Sequence, residues 1–509
     1  MPSRRWTLVA AIIGSSLAFI DGTVVNVALP AIQRQFNANV SDAQWIVESY
    51  ALFLASLLLV GGALGDRFGR RRIFTIGVAL FVVASLGCAL SSNIGWLIVA
   101  RAVQGIGAAM LLPGSLALIS AAYPPSERGG AIGTWSAFSA ITAAIGPVIG
   151  GLLVDHYSWH WAFLVNLPIG AVLLFICATR VPESRGTATR EPLDVLGACL
   201  VTVGLAGVVF ALIEAPAHGW TSPRIVSSGG IGVIALALFM RVQAHSRSPM
   251  VPLLLFRKRD FAGANLLTLL LYGALGGALF FLPLNLIQVQ GFGASAAGAA
   301  LLPLVAILFL LSRWAGTLVD KFGSRRPLVI GPVIAAFGFA MFALPSVGAS
   351  YWSGFLPAIC VLGLGMAITV APLTTTVMNS VGPELAGTAS GINNAVSRTA
   401  GLLAIAAFGI VLTWAFDATL ARELARTQLP PEVVATVIAQ GHKLAGIVVP
   451  DGLSEAVRLT LKMAIGQSFV AGFRWVMILS AGLALLGALS AWLLIGSKLP
   501  KFPKLPPST

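Results

Sequence analysis

Gly65-Asp66-Arg67-Phe68-Gly69-Arg70-Arg71-Arg72 returns in worn form as Val319-Asp320-Lys321-Phe322-Gly323-Ser324-Arg325-Arg326. Each copy is a compact knot of charge between long apolar stretches. The chain has 509 residues and only 10% of them are charged. Recurrence of such a knot therefore implies two related halves, each with the same charged turn on one face. Paired helical bundles of this kind are the plan of a transporter whose halves rock about a shared site.

The surrounding composition supports membrane helices. Hydrophobic residues make up 57% of the chain and the mean hydropathy is +0.91. A soluble protein of this length needs more charge to cover its surface. Many apolar runs reach the roughly 20 residues that cross a bilayer core. They are continuous rather than alternating, so they read as helices that satisfy their own backbone groups. The expected fold class is an all-α polytopic membrane protein of about fourteen spans. The repeat divides it into a six-helix bundle over 1–185, an inserted two-helix hairpin over 186–250, and a second six-helix bundle over 251–509. A long outer loop is expected at 414–469, where the run Ser454 to Lys462 could lie on the membrane surface. A fainter echo supports the repeat: Glu127-Arg128-Gly129-Gly130 and Glu384-Leu385-Ala386-Gly387 open corresponding spans.

The net charge of +14 resides mainly in short loops after even-numbered spans, among them Arg180, Arg185 and Arg190, then Arg241, Arg247 and Arg257. This distribution fits anionic lipid and the positive-inside rule, not nucleic acid. It places both termini, including Lys498, Lys501 and Lys504, in the cytoplasm and the chain in the cytoplasmic (inner) membrane. The N-terminal run continues through Asp21 to Pro30 without a cleavage site, so it reads as a retained first helix. Cys88, Cys177, Cys199 and Cys360 sit in apolar runs and read as packing residues. His156 and His160 have metal-ligand spacing, but Tyr157, Trp159 and Trp161 around them read as an aromatic belt.

Several polar residues interrupt the spans. Asp21 lies within the first, where a carboxylate is costly unless paired, hydrated or protonated. It is a candidate for proton or substrate coupling; bonding to nearby backbone or to Thr23 is the plain alternative. Arg101 lies within the fourth span as its natural partner, and Gly105 one turn on leaves room for a neighbouring helix. Snorkelling to the interface is the alternative for Arg101. Glu48, near Gln44 and Trp45, is either a second titrating group or an interfacial residue. Asp66 and Asp320 follow helix ends, where a carboxylate opposes its own helix dipole, so each calls for an Arg or another helix N-terminus. With Arg67, Gly69, Arg70, Arg71, Lys321 and Arg325 they form candidate gating turns; a plain positive-inside loop does not explain why the Asp and Gly recur. Gly146-Pro147-Val148-Ile149-Gly150-Gly151 provides a small-residue face and a missing backbone donor, suited to tight packing or to a hinge between halves. Asn26, Gln104, Tyr272, Asn394 and Arg398 are candidate substrate contacts; Arg313, Asn265 and Asn393 also lie within spans, and interhelical glue is the competing role. No phosphate-binding loop of the Gly-x-x-x-x-Gly-Lys-Ser/Thr kind occurs, so a proton gradient is the expected energy source and no cofactor is expected.

Taken together these residues resemble the major facilitator superfamily, and within it the fourteen-span drug:proton antiporters of the EmrB/QacA type. Asp66 through Arg71 is similar to the superfamily's signature loop, Asp21 through Pro30 to its first-span motif, Arg101 through Gly107 to its fourth-span motif, and Gly146 through Gly151 to its antiporter motif. The resemblance implies proton coupling through Asp21 and Arg101, gating at the charged turns, and antiport. Relatives that export cationic dyes tend to carry further second-half carboxylates. Here no acidic residue lies deep in the spans between 261 and 410, so neutral, zwitterionic or anionic amphiphiles are equally open. The expected function is proton-coupled efflux of amphipathic small molecules, with membrane lipid as a partner and a periplasmic adaptor protein left open. Proton-coupled uptake of a nutrient or peptide is the alternative. A receptor or membrane enzyme is disfavoured because no nucleophile–base grouping is visible.

Overall fold

The structure is a computed structural model and describes residues 2–185, 193–246, 248–382, 385–427, 429–450 and 452–496. Arg190, Arg247, Glu384, Lys498, Lys501 and Lys504 lie outside the described residues, as does the side chain of Arg313. The long helices run in chain order: α1 Pro2–Phe36, α2 Val40–Phe68, α3 Arg70–Ala89, α4 Ile94–Ala122, α5 Pro125–His156. Then come α6 Trp161–Arg180, α7 Val195–His218, α8 Pro223–His245 and α9 Arg259–Leu284. A short helix, Ala294–Ala299, leads into α10 Leu302–Phe322. The rest are α11 Arg325–Met341, α12 Leu356–Asn379, α13 Ala386–Ala425 and α14 Glu455–Leu494. Thirteen helices among the described residues have the length and hydropathy to cross a bilayer. With the 17-residue α11, these make the fourteen spans.

Local chemistry sets the helix ends. Asn39 and Asp42 form a reciprocal capping box at the start of α2, with Asn39 Oδ1 accepting from Asp42 N at 2.7 Å and Asp42 Oδ2 from Asn39 N at 3.0 Å. Both charged turns pivot on a glycine in the left-handed region: Gly69 at φ +113° between α2 and α3, and Gly323 at φ +73° between α10 and α11. That backbone demand explains why glycine recurs in the repeat. An even number of membrane crossings separates the two turns, so they share one face of the molecule.

The connection expected at 414–469 is shorter in the structure. α13 continues to Ala425 and α14 begins at Glu455, so both helices project well past the bilayer. Ser454 to Lys462 does not lie on a membrane surface. Ser454 accepts from Val457 N as N-cap, and the segment is the first turns of the 40-residue α14. Mixed polarity there reflects a helix in water above the bilayer.

The inserted hairpin, α7 and α8, closes on itself where glycines meet. A Cβ on Gly207 would stand 2.9 Å from Gly232 Cα, so only glycine permits this approach. α7 then lies against both halves: Leu205, Val209 and Ile213 cluster with Leu52 of α2 and with Leu402 and Ala406 of α13. Trp45 Nε1 donates to Glu214 Oε1 at 2.8 Å and ties the hairpin to α2.

Packing between the halves is tight on the face opposite the charged turns. One apolar core runs through both halves there, joining Val24, Leu29 and Ile46 to Phe280, Leu286 and Leu412. Gln288 Nε2 donates to Gln33 Oε1 at 2.9 Å, and Gln44 Nε2 donates to the Ile405 carbonyl at 2.8 Å. On the charged-turn face, Gly129, Gly130 and Gly133 of α5 and Gly387 of α13 meet nothing within 4 Å. The seal between the halves lies on the face opposite the charged turns.

Candidate functional site

Asp21 stands at the centre of a buried polar cluster in the first half. It is 0% exposed and Arg101 is 1% exposed. The Asp21 carboxylate accepts from Arg101 Nη1, from Gln104 Nε2 at 2.7 Å and from Asn166 Nδ2 at 3.1 Å. Arg101 also donates through Nε to the Ile46 carbonyl at 3.0 Å and through Nη1 to Gln104 Oε1 at 2.7 Å. Its guanidinium carbon sits 4.3 Å from the centre of the Tyr50 ring. Ser85 Oγ accepts from Gln104 and Asn166. Two charges taken out of water carry a heavy desolvation cost, offset only when geometry is good and the remaining donors are used. Here α1, α3, α4 and α6 each supply part of that requirement. Gly105 lets α4 approach: a Cβ there would meet the Tyr50 carbonyl of α2 at 2.4 Å.

Glu48 contrasts with this. It is 0% exposed, yet neither carboxylate oxygen has a hydrogen-bond partner. It lies one helical turn from Gln44 and from Leu52, both of which touch α13, so it sits on the α2 face turned to the second half. It does not join the Asp21 cluster.

The expected substrate contacts separate. Gln104 is wholly enclosed in the Asp21 cluster and presents no free polar edge. Asn26 and Arg398 are half-buried, each with one buried atom (Asn26 Oδ1, Arg398 Nε) that has no partner. Tyr272 is half-buried and Asn394 exposed. Asn393 instead ties α13 to α9 by donating to Thr268 Oγ1 at 2.7 Å and Asn265 Oδ1 at 3.2 Å, which is the glue role.

The two charged turns are built differently. Asp66 Oδ1 accepts from Arg70 Nε at 2.7 Å, and Arg70 Nη1 reaches the Ala117 carbonyl. Glu183, just past α6, accepts from Arg71 N at 3.0 Å and Arg72 N at 3.1 Å, capping α3. Arg67 is exposed, lying over the Phe68 ring. All these bonds stay within the first half, so in this conformation the turn is no latch between halves. Asp320, Lys321 and Arg325 make no ion pair among the described residues; Arg325 lies over Trp492 of α14.

The glycine run of α5 is a continuous part of the helix with Pro147 inside it. Its two faces serve two neighbours. A Cβ on Gly146 would stand 2.1 Å from Thr23 Oγ1 and one on Gly150 2.9 Å from Val24, both on α1. A Cβ on Gly151 would stand 2.4 Å from the Ala294 carbonyl, and one on Gly298 2.1 Å from the Pro147 carbonyl, across the halves. Beyond them Asp155 accepts from Ala294 N at 3.0 Å, Ser295 N at 2.8 Å and Ser295 Oγ at 2.6 Å. Sequence reading missed Asn166, Ser85, Tyr50, Glu183 and Asp155. Only Asn166, a lone amide in an apolar span, carried a visible signal.

The described residues are helical, and within the first half they enclose a buried ion pair; likeness to known proteins identifies this one as a membrane transporter rather than an enzyme. The major facilitator superfamily model matches residues 11–405, and the chain belongs to that family. It is 35% identical to multidrug resistance protein Stp of Mycobacterium tuberculosis over 92% of this chain and 91% of that protein. It is 31% identical to the tetracenomycin C resistance and export protein of Streptomyces glaucescens, covering 95% and 90% respectively. It is 34% identical to the methylenomycin A resistance protein of Bacillus subtilis, covering 80% and 88%. Among solved structures, a bacterial homologue of the human lysosomal transporter Spinster, inward-facing and unoccupied, aligns with a TM-score of 0.64 at 19% identity over 96% of this chain and 98% of that one. That likeness concerns the fold.

Proposed function

We propose that this protein exports amphipathic small molecules across the cytoplasmic membrane in exchange for protons, by alternating access. The relatives named for antibiotic resistance and export support the direction and the cargo class. The observation that carries the coupling is the enclosed Asp21–Arg101 pair. Both termini and the charged turns lie in the cytoplasm, since the basic loops gather on that face. The sealed face is then the outer end of the molecule.

Asp21 reaches the far seal through a short chain of contacts. Thr23 and Val24 follow it on α1 and pack on Gly146 and Gly150 of α5. The other face of α5, at Gly151 and Asp155, holds the start of the second half. A proton on Asp21 removes the charge that Arg101 faces, and that loss within a buried pair is worth about 3–5 kcal/mol. A bias of about 5.5 kcal/mol turns a two-state equilibrium from 1:99 to 99:1, so the pair supplies the needed scale. Glu48 is the second proton carrier in this reading. Glu48 faces α13 with neither carboxylate oxygen hydrogen-bonded, so a charge there is costly while α2 is closed on α13. The cargo meets Asn26, Tyr272, Asn394 and Arg398, the polar groups left incompletely paired or exposed.

The test is transport by purified protein in proteoliposomes under an imposed pH gradient, with tetracenomycin C and methylenomycin A as probes. Asp21→Asn is expected to abolish gradient-driven flux while leaving helix content unchanged. Gradient-driven flux at the parental rate would overturn the role of Asp21. Accumulation against the export direction would favour symport instead.

A further inference from the structure

The second charged turn lacks the anion that completes the first, and a cavity stands where it belongs. In the repeat, Asp66 corresponds to Asp320, Gly69 to Gly323, Arg70 to Ser324, Arg71 to Arg325 and Arg72 to Arg326. In the first half the Glu183 carboxylate caps the amides of Arg71 and Arg72 and lies against Gly69. In the second half, among the described residues, Ser324 at the start of α11 makes no capping hydrogen bond and no carboxylate accepts from the Arg325 or Arg326 amide. A cavity of about 630 Å³ opens at this turn, lined by Lys321, Arg325, Arg326, Val329, Ile330 and Trp492 among others. Arg325 Nε is buried there without a hydrogen-bond partner, and its guanidinium is steadied 5.4 Å from the Trp492 ring.

We propose that this cavity binds the phosphate of an anionic phospholipid headgroup. Three cations and an uncapped helix N-terminus converge on one space, and guanidinium forks match phosphate geometry. The remaining wall is apolar, with Ile330 and Trp492 exposed on the outer surface of the bundle. A lipid offers both halves of that match, a charged head and an acyl chain, whereas free phosphate offers only one. Bound there, the headgroup does for α11 what Glu183 does for α3. Occupancy then stiffens the second gating turn and makes it responsive to the anionic lipid content of its leaflet.

The experiment uses the full chain in a neutral detergent, with binding read by native mass spectrometry and by the thermal midpoint. Probes are phosphatidylglycerol, phosphatidylcholine and inorganic phosphate. Phosphatidylglycerol is expected to bind and to raise the midpoint, with the other two ineffective at equal concentration. R325Q/R326Q should weaken phosphatidylglycerol binding by about fivefold per basic side chain, so about thirtyfold for the pair. R325K/R326K keeps the charge and should retain most of the binding, which separates a lost site from a damaged fold. R224Q, on the opposite face, should bind as the parent does. Parental binding by R325Q/R326Q would overturn the site, and equal protection by inorganic phosphate would overturn the lipid as its occupant.

Discussion

Gly151→Ala is the sharpest probe of how the molecule closes. A Cβ at this position would lie 2.4 Å from the Ala294 carbonyl oxygen and 2.4 Å from Ser295 Cα, against 3.4 Å for ordinary contact. Both obstacles are backbone, so no side chain can swing aside. α5 and the short helix Ala294–Ala299 must separate by about 1 Å, and overpacking of this kind costs about 1–3 kcal/mol. That cost falls only on the conformation in which the two segments touch. The equilibrium should therefore move toward opening of this face by about tenfold to a hundredfold. Spin labels at Tyr157→Cys and Leu344→Cys, both exposed positions on that face, report it by pulsed electron resonance in a chain freed of its four native cysteines. The parent should give a short distance, and Gly151→Ala a second, longer population. Gly130→Ala, where nothing lies within 4 Å, should behave as the parent. An unchanged distance distribution in Gly151→Ala would refute the seal.

Other perturbations separate the remaining contacts. Arg101→Ala leaves Asp21 buried without its cation and should cost about 3–5 kcal/mol in thermal unfolding; adding Asp21→Asn should recover part of this, as a double-mutant cycle would show. Asp155→Ala removes an acceptor used by three donors, but at a water-exposed position, so the ratio of the two label populations should change by only about tenfold or less. Glu183→Ala strips the cap from α3 and should cost about 1 kcal/mol. Faster hydrogen exchange at the Arg71 and Arg72 amides would register it, and unaltered exchange would argue against the cap. Glu214→Leu releases the Trp45 indole and should loosen the hairpin from α2, read as proteolysis within 219–222 at lower protease concentration.

Much of the fold was legible because its determinants are local. The apolar runs, the two charged turns and the glycines at φ +113° and +73° are set by short stretches of chain. The Asp21–Arg101 contact was legible too, since two buried opposite charges in one half have few ways to be neutralised. What joined them was not. Asn166 and Ser85 act through tertiary approach of α6 and α3; the lone amide stands out in its span, but its partner does not, and a serine is ordinary in a span. Asp155 stands near the C-terminal end of α5, and only the arrival of Ala294 and Ser295 from the other half makes it a tie. Gln104 reads as a cargo contact by its depth, yet its amide is consumed by Asp21 and Ser85. The outer loop was overestimated because water-exposed helix has the mixed polarity of a loop.

The central proposal is that Asp21, with Glu48, carries the protons exchanged for cargo. Purified protein in weakly buffered detergent solution, mixed with tetracenomycin C beside a pH indicator, reads this directly. The parent should release protons on binding, and Asp21→Asn should bind the probe and release fewer, leaving the share carried by Glu48. Equal proton release from the two proteins would contradict the account.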